Sequence, residues 1–485
     1  MAAPPAHPGT DEQRRVVDLL LAKKCVLLCG AAGTGKTFAI NAARDALEAA
    51  GLTVACLSPT GLAALNMRGG MTVARFVGAG RALRANDRDA LQHRVASRLA
   101  PSRFSGRMRA AGALRDRLAG AHVLIVDEAS MLRDFDLEML EFALRRARNN
   151  TRPFGGAVLL ASGDFRQLAP VGAGEAGEAP FLDGAYMGRF ERVRLSKVFR
   201  QRDAPFLELL GRLAEGAPAA EDDEFMGAKA VDEPPSNAVA LFATNASCDA
   251  FNARRMAALP GADDVYEAQW HAAPAAPAQA GKAPTRRFQP YTADVTKTVE
   301  GVDETAVRAL EEAFGRPEAP GDAAWRVRVW NERRPLPARV MLRPGTPVMV
   351  RANVDVEGGV ANGATGVYEG RDAATGQARV RLGARTLLIA PHVWEGEAEG
   401  YALAYRQTPL VPAWGLTIHK AQGQQFENVF VDFGDFARWP DASKLVGMAY
   451  VAVSRVTAPE GFSQRGYRRC FVVADAAANA FYARA

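Results

Sequence analysis

A chain of 485 residues, 48% hydrophobic and 24% charged with a formal net charge of +6, excludes a disordered or fibrous polypeptide and is long enough for several globular domains. No apolar run approaches the roughly 20 residues that span a bilayer, and the opening MAAPPAHPGTDEQ has neither a signal-peptide core nor the arginines of a transit peptide, so an intracellular protein with no membrane partner is expected. Cys25, Cys29, Cys56, Cys248 and Cys470 form no CxxC pair and the six histidines form no cluster, which argues against a zinc or disulfide framework.

In chain order, the strand-like CVLLCG leads into GAAGTGKT, residues 30–37, and then into the helical KTFAINAARDALEAA. A glycine-rich turn between strand and helix that satisfies G-x4-G-K-[ST] is a polyphosphate cradle. Gly30, Ala31, Ala32, Gly33, Thr34 and Gly35 offer backbone N–H groups, Lys36 reaches the outer phosphates, and the Thr37 hydroxyl can ligate magnesium. TVACLSP is the next strand. From Arg81 to Leu118, ten arginines stand against three aspartates, a local +7 that exceeds the whole-chain balance; a solvated helical face and a phosphate-contacting surface both fit it. HVLIVDE follows, and its end supplies a hydrolytic pair: Asp127 to hold magnesium through its water shell, Glu128 to orient and deprotonate the attacking water. The strand AVLLASGD then breaks into DFRQLAP. Parallel strands deliver their ends to one rim, so Gln167 is expected near the γ-phosphate beside Glu128, while the loop through Pro170 faces whatever runs along the outside.

Three later runs, VALFATN, NVFVDFG and RCFVVAD, with the helical KLVGMAYVAVSRV between the last two, read as a second parallel-sheet lobe. The Ala/Pro-rich HAAPAAPAQAGKAP reads as a mobile loop. TPVMVRAN, TGVYEGRD, QARVRLG and RTLLIAP read as short strands of a small β-barrel inserted into that lobe. The expected fold is therefore α/β: a first lobe over 1–195 with a basic insert over 78–118, a second lobe split between 196–256 and 401–485, and an inserted region over 257–400.

Seven segments in fixed order, GAAGTGKT, SPTGLAALN, LIVDEASML, GDFRQLAPV, LSKVFRQRD, PAWGLTIHKAQGQQF and GMAYVAVSRV, resemble the motifs of superfamily 1 DNA helicases of the Pif/RecD-like branch. The chain is most similar to the PIF family, through PFGGAVLLASGDFRQLAPV and PLVPAWGLTIHKAQG, over about Asp11 to Asp475. The resemblance implies two RecA-like P-loop lobes, a small wedge within the basic insert, and an SH3-like barrel. It implies a DNA helicase dependent on ATP and Mg2+, active as a monomer, that moves 5' to 3' on single-stranded DNA and unwinds duplex or structured DNA. By the same resemblance Gln13 is the adenine-reading glutamine, Gly423 belongs to the ATP-binding set, and Arg200 and Arg455 are the two arginines that the second lobe brings to the phosphates. Thr60, Gly61, Phe76, Thr417, His419 and Lys420 match positions that line the single-strand track, with Phe76 either stacking on a base or serving the core. Pro59, Ala74-Arg75 and Ala169 depart from the family pattern beside that track. Two rival readings stay open: a RecD-like or Dda-like translocating ATPase that remodels protein–DNA complexes without unwinding, and a nucleotide-gated DNA-binding scaffold without turnover.

Overall fold

The strands β1 (Val26–Cys29), β2 (Val54–Ser58), β3 (Met71–Thr72), β4 (Val123–Val126), β5 (Val158–Gly163) and β6 (Glu191–Arg194) form one six-stranded parallel sheet in the order β3-β2-β4-β5-β1-β6. The computed structural model in which they are seen describes residues 9–65, 67–79, 88–100, 105–169, 186–199, 203–274, 289–290, 336–355, 358, 360–398, 401–439 and 441–484. β1, β4 and β5 are buried along their whole length, as unbroken aliphatic runs covered on both faces should be. Alternate residues serve opposite cores, because successive side chains of a strand point to opposite faces. Val26 and Leu28 pack with Val16, Val17 and Leu20 of the helix Asp11–Leu21 and with Ile40 and Leu47 of the helix Lys36–Ala49. Leu27 and Cys29 share the other core with the helix Asp134–Arg148 and with Phe481 and Tyr482 of the C-terminal helix Ala476–Ala483. Each such aliphatic side chain, fully buried, contributes about 1.5–3 kcal/mol, so the strand ends are held rigidly enough to aim the polar residues that follow them.

A second parallel sheet runs in the order Gly415–Thr417, Val239–Phe242, Val429–Asp432, Phe462–Arg465. Two of its strands are the expected VALF and VFVD. The third expectation, RCFVVAD, is corrected: Arg469–Phe471 is a 3-10 turn and Val473 makes a single bridge to Val446. The strand is FSQR instead. Its buried Ser463 and Gln464 are satisfied by the carbonyls of Val429 at 3.2 Å and Met226 at 2.8 Å, and those polar atoms hid it from a reading of hydropathy. The helix expected across KLVGMAYVAVSRV is confined to Met448–Val453, opened by Gly447 in a left-handed conformation, φ 73°.

By internal packing the chain divides into Met1–Phe251 with Trp414–Ala485, and Asn252–Ala413. Within the latter, Arg385–Ile389, Ala378–Leu382, Thr365–Arg371, Pro347–Val350 and Leu410–Pro412 form an antiparallel sheet in that order. The first four coincide with the expected short strands, and the fifth had no sequence signal. HAAP closes the strand Gln269–Pro274, and the rest of the Ala/Pro-rich stretch lies outside the described residues. The basic insert contains the helices Arg88–Leu99 and Ser105–Gly120, whose Leu91, Val95, Leu99, Leu114 and Leu118 join the first lobe's core. No described helix is long and apolar enough to cross a membrane.

Candidate active site

The loop after β1 is shaped by its glycines. Gly33 and Gly35 are left-handed, φ 81° and 84°, and a Cβ on Gly30 would lie 2.6 Å from Thr34 Oγ1 and 3.1 Å from the Leu195 carbonyl, a space only glycine fits. Gly35 caps the following helix without a side-chain hydrogen bond, so its first-turn N–H groups and dipole face the loop as an anion site. Lys36 Nζ donates to the Gly30 and Ala31 carbonyls at 2.8 and 2.9 Å, and Thr34 Oγ1 to Ala31 O at 2.9 Å; Thr37 is exposed at the helix start. Gln13 closes a capping box with Thr10, and its Nε2 donates to Gly35 O at 3.4 Å. Sequence reasoning missed Phe199. Its N–H donates to Gly33 O at 2.9 Å, its ring lies 3.4 Å from where a Cβ of Gly35 would stand, and it is 49% exposed beside Gln13, with the Lys197 ammonium 5.2 Å from the ring centroid. The only sequence cue was an aromatic residue next to Arg200.

At the end of β4, Asp127 is buried and Glu128 partly so. Glu128 takes the left-handed conformation, φ 56°, which is uncommon for a residue with a Cβ and costs of order 1–3 kcal/mol. Burial pushes its carboxyl up to about 7, the charge of Asp127 adds to the rise, and Lys36 and Arg455 oppose it. Burial likewise raises Asp127, against the backbone N–H of Glu128 and the charge of Lys36. Gly163 lets β5 close on this acidic turn, since a Cβ there would lie 2.9 Å from Ser130 N. Two residues of the second sheet's side reach the same place. Gly423, φ 78°, would put a Cβ 3.7 Å from Glu128 Oε1, and Arg455 is buried with Nη1 on Gln424 O at 3.1 Å, Nε on Val451 O at 2.9 Å and Nη2 on Ser454 Oγ at 2.8 Å.

Beyond β5, Asp164 is almost wholly buried and organises its neighbours. Its Oδ2 accepts from Gln167 Nε2 at 3.2 Å and from the Tyr450 hydroxyl at 2.6 Å, and its Oδ1 accepts from the Arg166 N–H at 3.2 Å. Gln167 is buried, and its Oε1 has no hydrogen-bond partner. Such an atom costs about 1–3 kcal/mol to leave unpaired; it marks the glutamine as built for something other than stability. Asp164, Tyr450 and Tyr482, whose hydroxyl accepts from the Phe165 N–H at 3.2 Å, were not singled out from sequence. Arg200 and Pro170 lie outside the described residues.

The residues expected on the strand track are dispersed over both sheets. Thr60 Oγ1 accepts from Ala63 N at 3.3 Å, beside the buried Gly61. Thr417 is buried, His419 is held below its ordinary pKa by burial, and Lys420 Nζ donates to Asn245 Oδ1 at 3.1 Å. Phe76 is corrected: it is 0% exposed within the first lobe's core, with the Arg117 guanidinium over its ring, so no face is open for a base and it serves the core. Several arginines of the basic insert are committed to partners within the first lobe. Arg88 pairs with Glu138 at 2.9 Å, Arg98 donates to Gly78 O at 2.7 Å, and Arg117 donates to Arg75 O at 2.9 Å.

A family model described as an AAA domain matches residues 9–231. An ATP-dependent DNA helicase PIF7 of Trypanosoma brucei brucei is 28% identical over 500 residues, which cover 92% of this chain and 45% of that protein; the chain thus spans about half the length of that curated relative. The crystal structure of the Pif1 helicase from Candida albicans matches with a TM-score of 0.70 at 24% identity, covering 99% of this chain and all of that one. Pif1 helicase from Bacteroides, in complex with ADP-AlF3 and ssDNA, matches with a TM-score of 0.68 at 20% identity, covering 99% of this chain and 97% of that one. These two likenesses establish the parallel-sheet fold, and the sequence relative spans nearly the whole chain. Over nearly its whole length the chain is similar to PIF helicases in sequence and matches Pif1 helicases in fold.

Proposed function

We propose that this chain is an ATP-dependent DNA helicase that moves 5' to 3' on single-stranded DNA and separates duplex ahead of it. The observation that carries the reading is the convergence, at one rim of the first sheet, of a phosphate loop, the Asp127–Glu128 pair and Gln167, met there by Gly423 and Tyr450 from the other side. The relatives' descriptions support it: a DNA helicase that depends on ATP, and a fold-mate in complex with ADP-AlF3 and ssDNA.

In this reading the loop N–H groups and Lys36 bind the phosphates, and the adenine lies against Phe199 within reach of Gln13. Glu128 accepts a proton from water as its oxygen attacks the terminal phosphorus, and ADP carries away the bonding pair. Its raised pKa suits a base working near neutrality. Thr37 and Asp127 fit a magnesium ion as hard oxygen donors. When bound, that ion neutralises charge on the phosphates. Arg455, and Arg200 beside it in the family pattern, bring the second lobe to the same phosphates, so binding draws the lobes together and hydrolysis releases them. Thr60, Gly61, Thr417, His419 and Lys420 grip the strand alternately.

The test is phosphate release with and without single-stranded DNA. Turnover is expected to rise at least about tenfold with DNA, and the stimulation to fade as salt rises, because phosphate contacts release counterions. Equal turnover in both conditions would remove DNA as the coupled partner.

A further inference from the structure

The hydroxyl of Tyr450 sits between two parts of the site that the sequence read separately. It donates to Asp164 Oδ2 at 2.6 Å and accepts from the N–H of Ala32, in the phosphate loop, at 3.3 Å. The same carboxylate oxygen takes Gln167 Nε2 at 3.2 Å. Loop, tyrosine, aspartate and glutamine thus form one chain of hydrogen bonds, and its last member keeps an unpaired Oε1. The contact spans 286 residues of sequence. It is held from behind: the helix carrying Tyr450 starts at Gly447, where a Cβ would stand 3.1 Å from Arg166 O and 3.2 Å from Gln167 O. Any other residue there would push this helix off the Gln167 backbone. Tyr450 is itself buried, 3% exposed, and Arg455 stands two residues past the end of this helix with Nε on Val451 O.

We infer that Tyr450 is a positioning residue for hydrolysis, which fixes Gln167 through Asp164 and reports the state of the phosphate loop to the second lobe through Ala32. The inference rests on the ATPase reading above. In that reading the Ala32 N–H belongs to the group that wraps phosphate, so an arriving phosphate oxygen shares or takes the donor that Tyr450 accepts. The tyrosine then holds to Asp164 alone, and the helix that also leads to Arg455 registers the change. Without the hydroxyl, Asp164 loses its shortest partner and Gln167 loses a fixed anchor, whereas the phosphate cradle keeps all its own groups. The deficit should therefore lie in turnover and not in nucleotide affinity.

The experiment is a double-mutant cycle of Tyr450→Phe and Gln167→Ala, read as steady-state ATP turnover on single-stranded DNA, with thermal unfolding of each variant. Tyr450→Phe is expected to lower kcat at least about tenfold while KM for ATP moves by less than about threefold. Added to Gln167→Ala, it should lower kcat by less than about twofold more, because the tyrosine acts through the glutamine. If Tyr450→Phe does not unfold cooperatively, Asp164→Asn, which keeps the shape and removes the charge, carries the same expectation. A kcat within about twofold of the unaltered protein, or losses that multiply fully in the double variant, overturns the inference. Failure of the functional reading looks different: the unaltered protein would then release no phosphate at all. Normal turnover that Glu128→Gln abolishes and Tyr450→Phe leaves intact would sink only the role of the tyrosine.

Discussion

Glu128→Gln binds ATP as well as the unaltered protein and releases phosphate about a thousandfold more slowly, within the range of 10²–10⁴ that a positioned general base contributes. The substitution is nearly isosteric and leaves the glycine loop, Lys36 and the helix start untouched, so the contacts that hold the nucleotide survive. What it removes is the carboxylate whose pKa burial and Asp127 push up to about 7. A neutral amide in the same place suffers no such penalty, and the variant should be at least as stable as the original protein to heat. Single-turnover phosphate release with a separate measurement of ATP affinity checks both halves. Turnover equal to that of the unaltered protein would remove Glu128 from the role of base.

Lys36→Ala fails earlier in the cycle. The ammonium is held by the Gly30 and Ala31 carbonyls at the mouth of the loop, where it can turn to a phosphate at the cost of two neutral hydrogen bonds. A charge-assisted hydrogen bond contributes about 1.5–3 kcal/mol, which corresponds to about ten- to hundredfold in affinity. Loss of charge stabilisation in the transition state adds a further factor of about 10²–10³ in turnover. Titration of a fluorescent ATP analogue should show the weakened binding that Glu128→Gln lacks. Wild-type affinity in Lys36→Ala would place the phosphates elsewhere.

The clustering of candidate site residues at the ends of β1, β4 and β5 was legible in the sequence for one reason. Each strand is a short apolar run, and the polar residues that interrupt it stand where a parallel sheet delivers its carboxyl ends. Lys36, Asp127, Glu128 and Gln167 needed no knowledge of distant partners. Tyr450, Asp164 and Phe199 did, because their meaning lies in contacts between segments far apart in the chain, and a tyrosine inside an apolar helix carries no local sign of its hydroxyl's partner. Phe76 was ambiguous in principle, since the ring that stacks on a base is the ring that fills a core; only its burial decides. The arginines of residues 81–118 posed the same difficulty in charge. A count cannot separate a guanidinium that binds backbone carbonyls, as Arg98 and Arg117 do, from one that faces phosphate. The strand Phe462–Arg465 stayed hidden because its inward polar groups are satisfied by backbone carbonyls rather than replaced by aliphatic ones.

If ATP hydrolysis drives directed movement along one DNA strand, strand separation on tailed duplexes will show it. Two substrates share one duplex, one with a single-stranded 5' tail and the other with a 3' tail. With ATP and magnesium, the 5'-tailed duplex is expected to open and the 3'-tailed one to remain closed, with no opening by Glu128→Gln. The rate should fall steeply as salt rises, since the grip on the strand is largely to phosphates. Opening of the 3'-tailed duplex alone would contradict the direction of movement, and DNA-stimulated turnover that opens neither duplex would contradict the helicase itself.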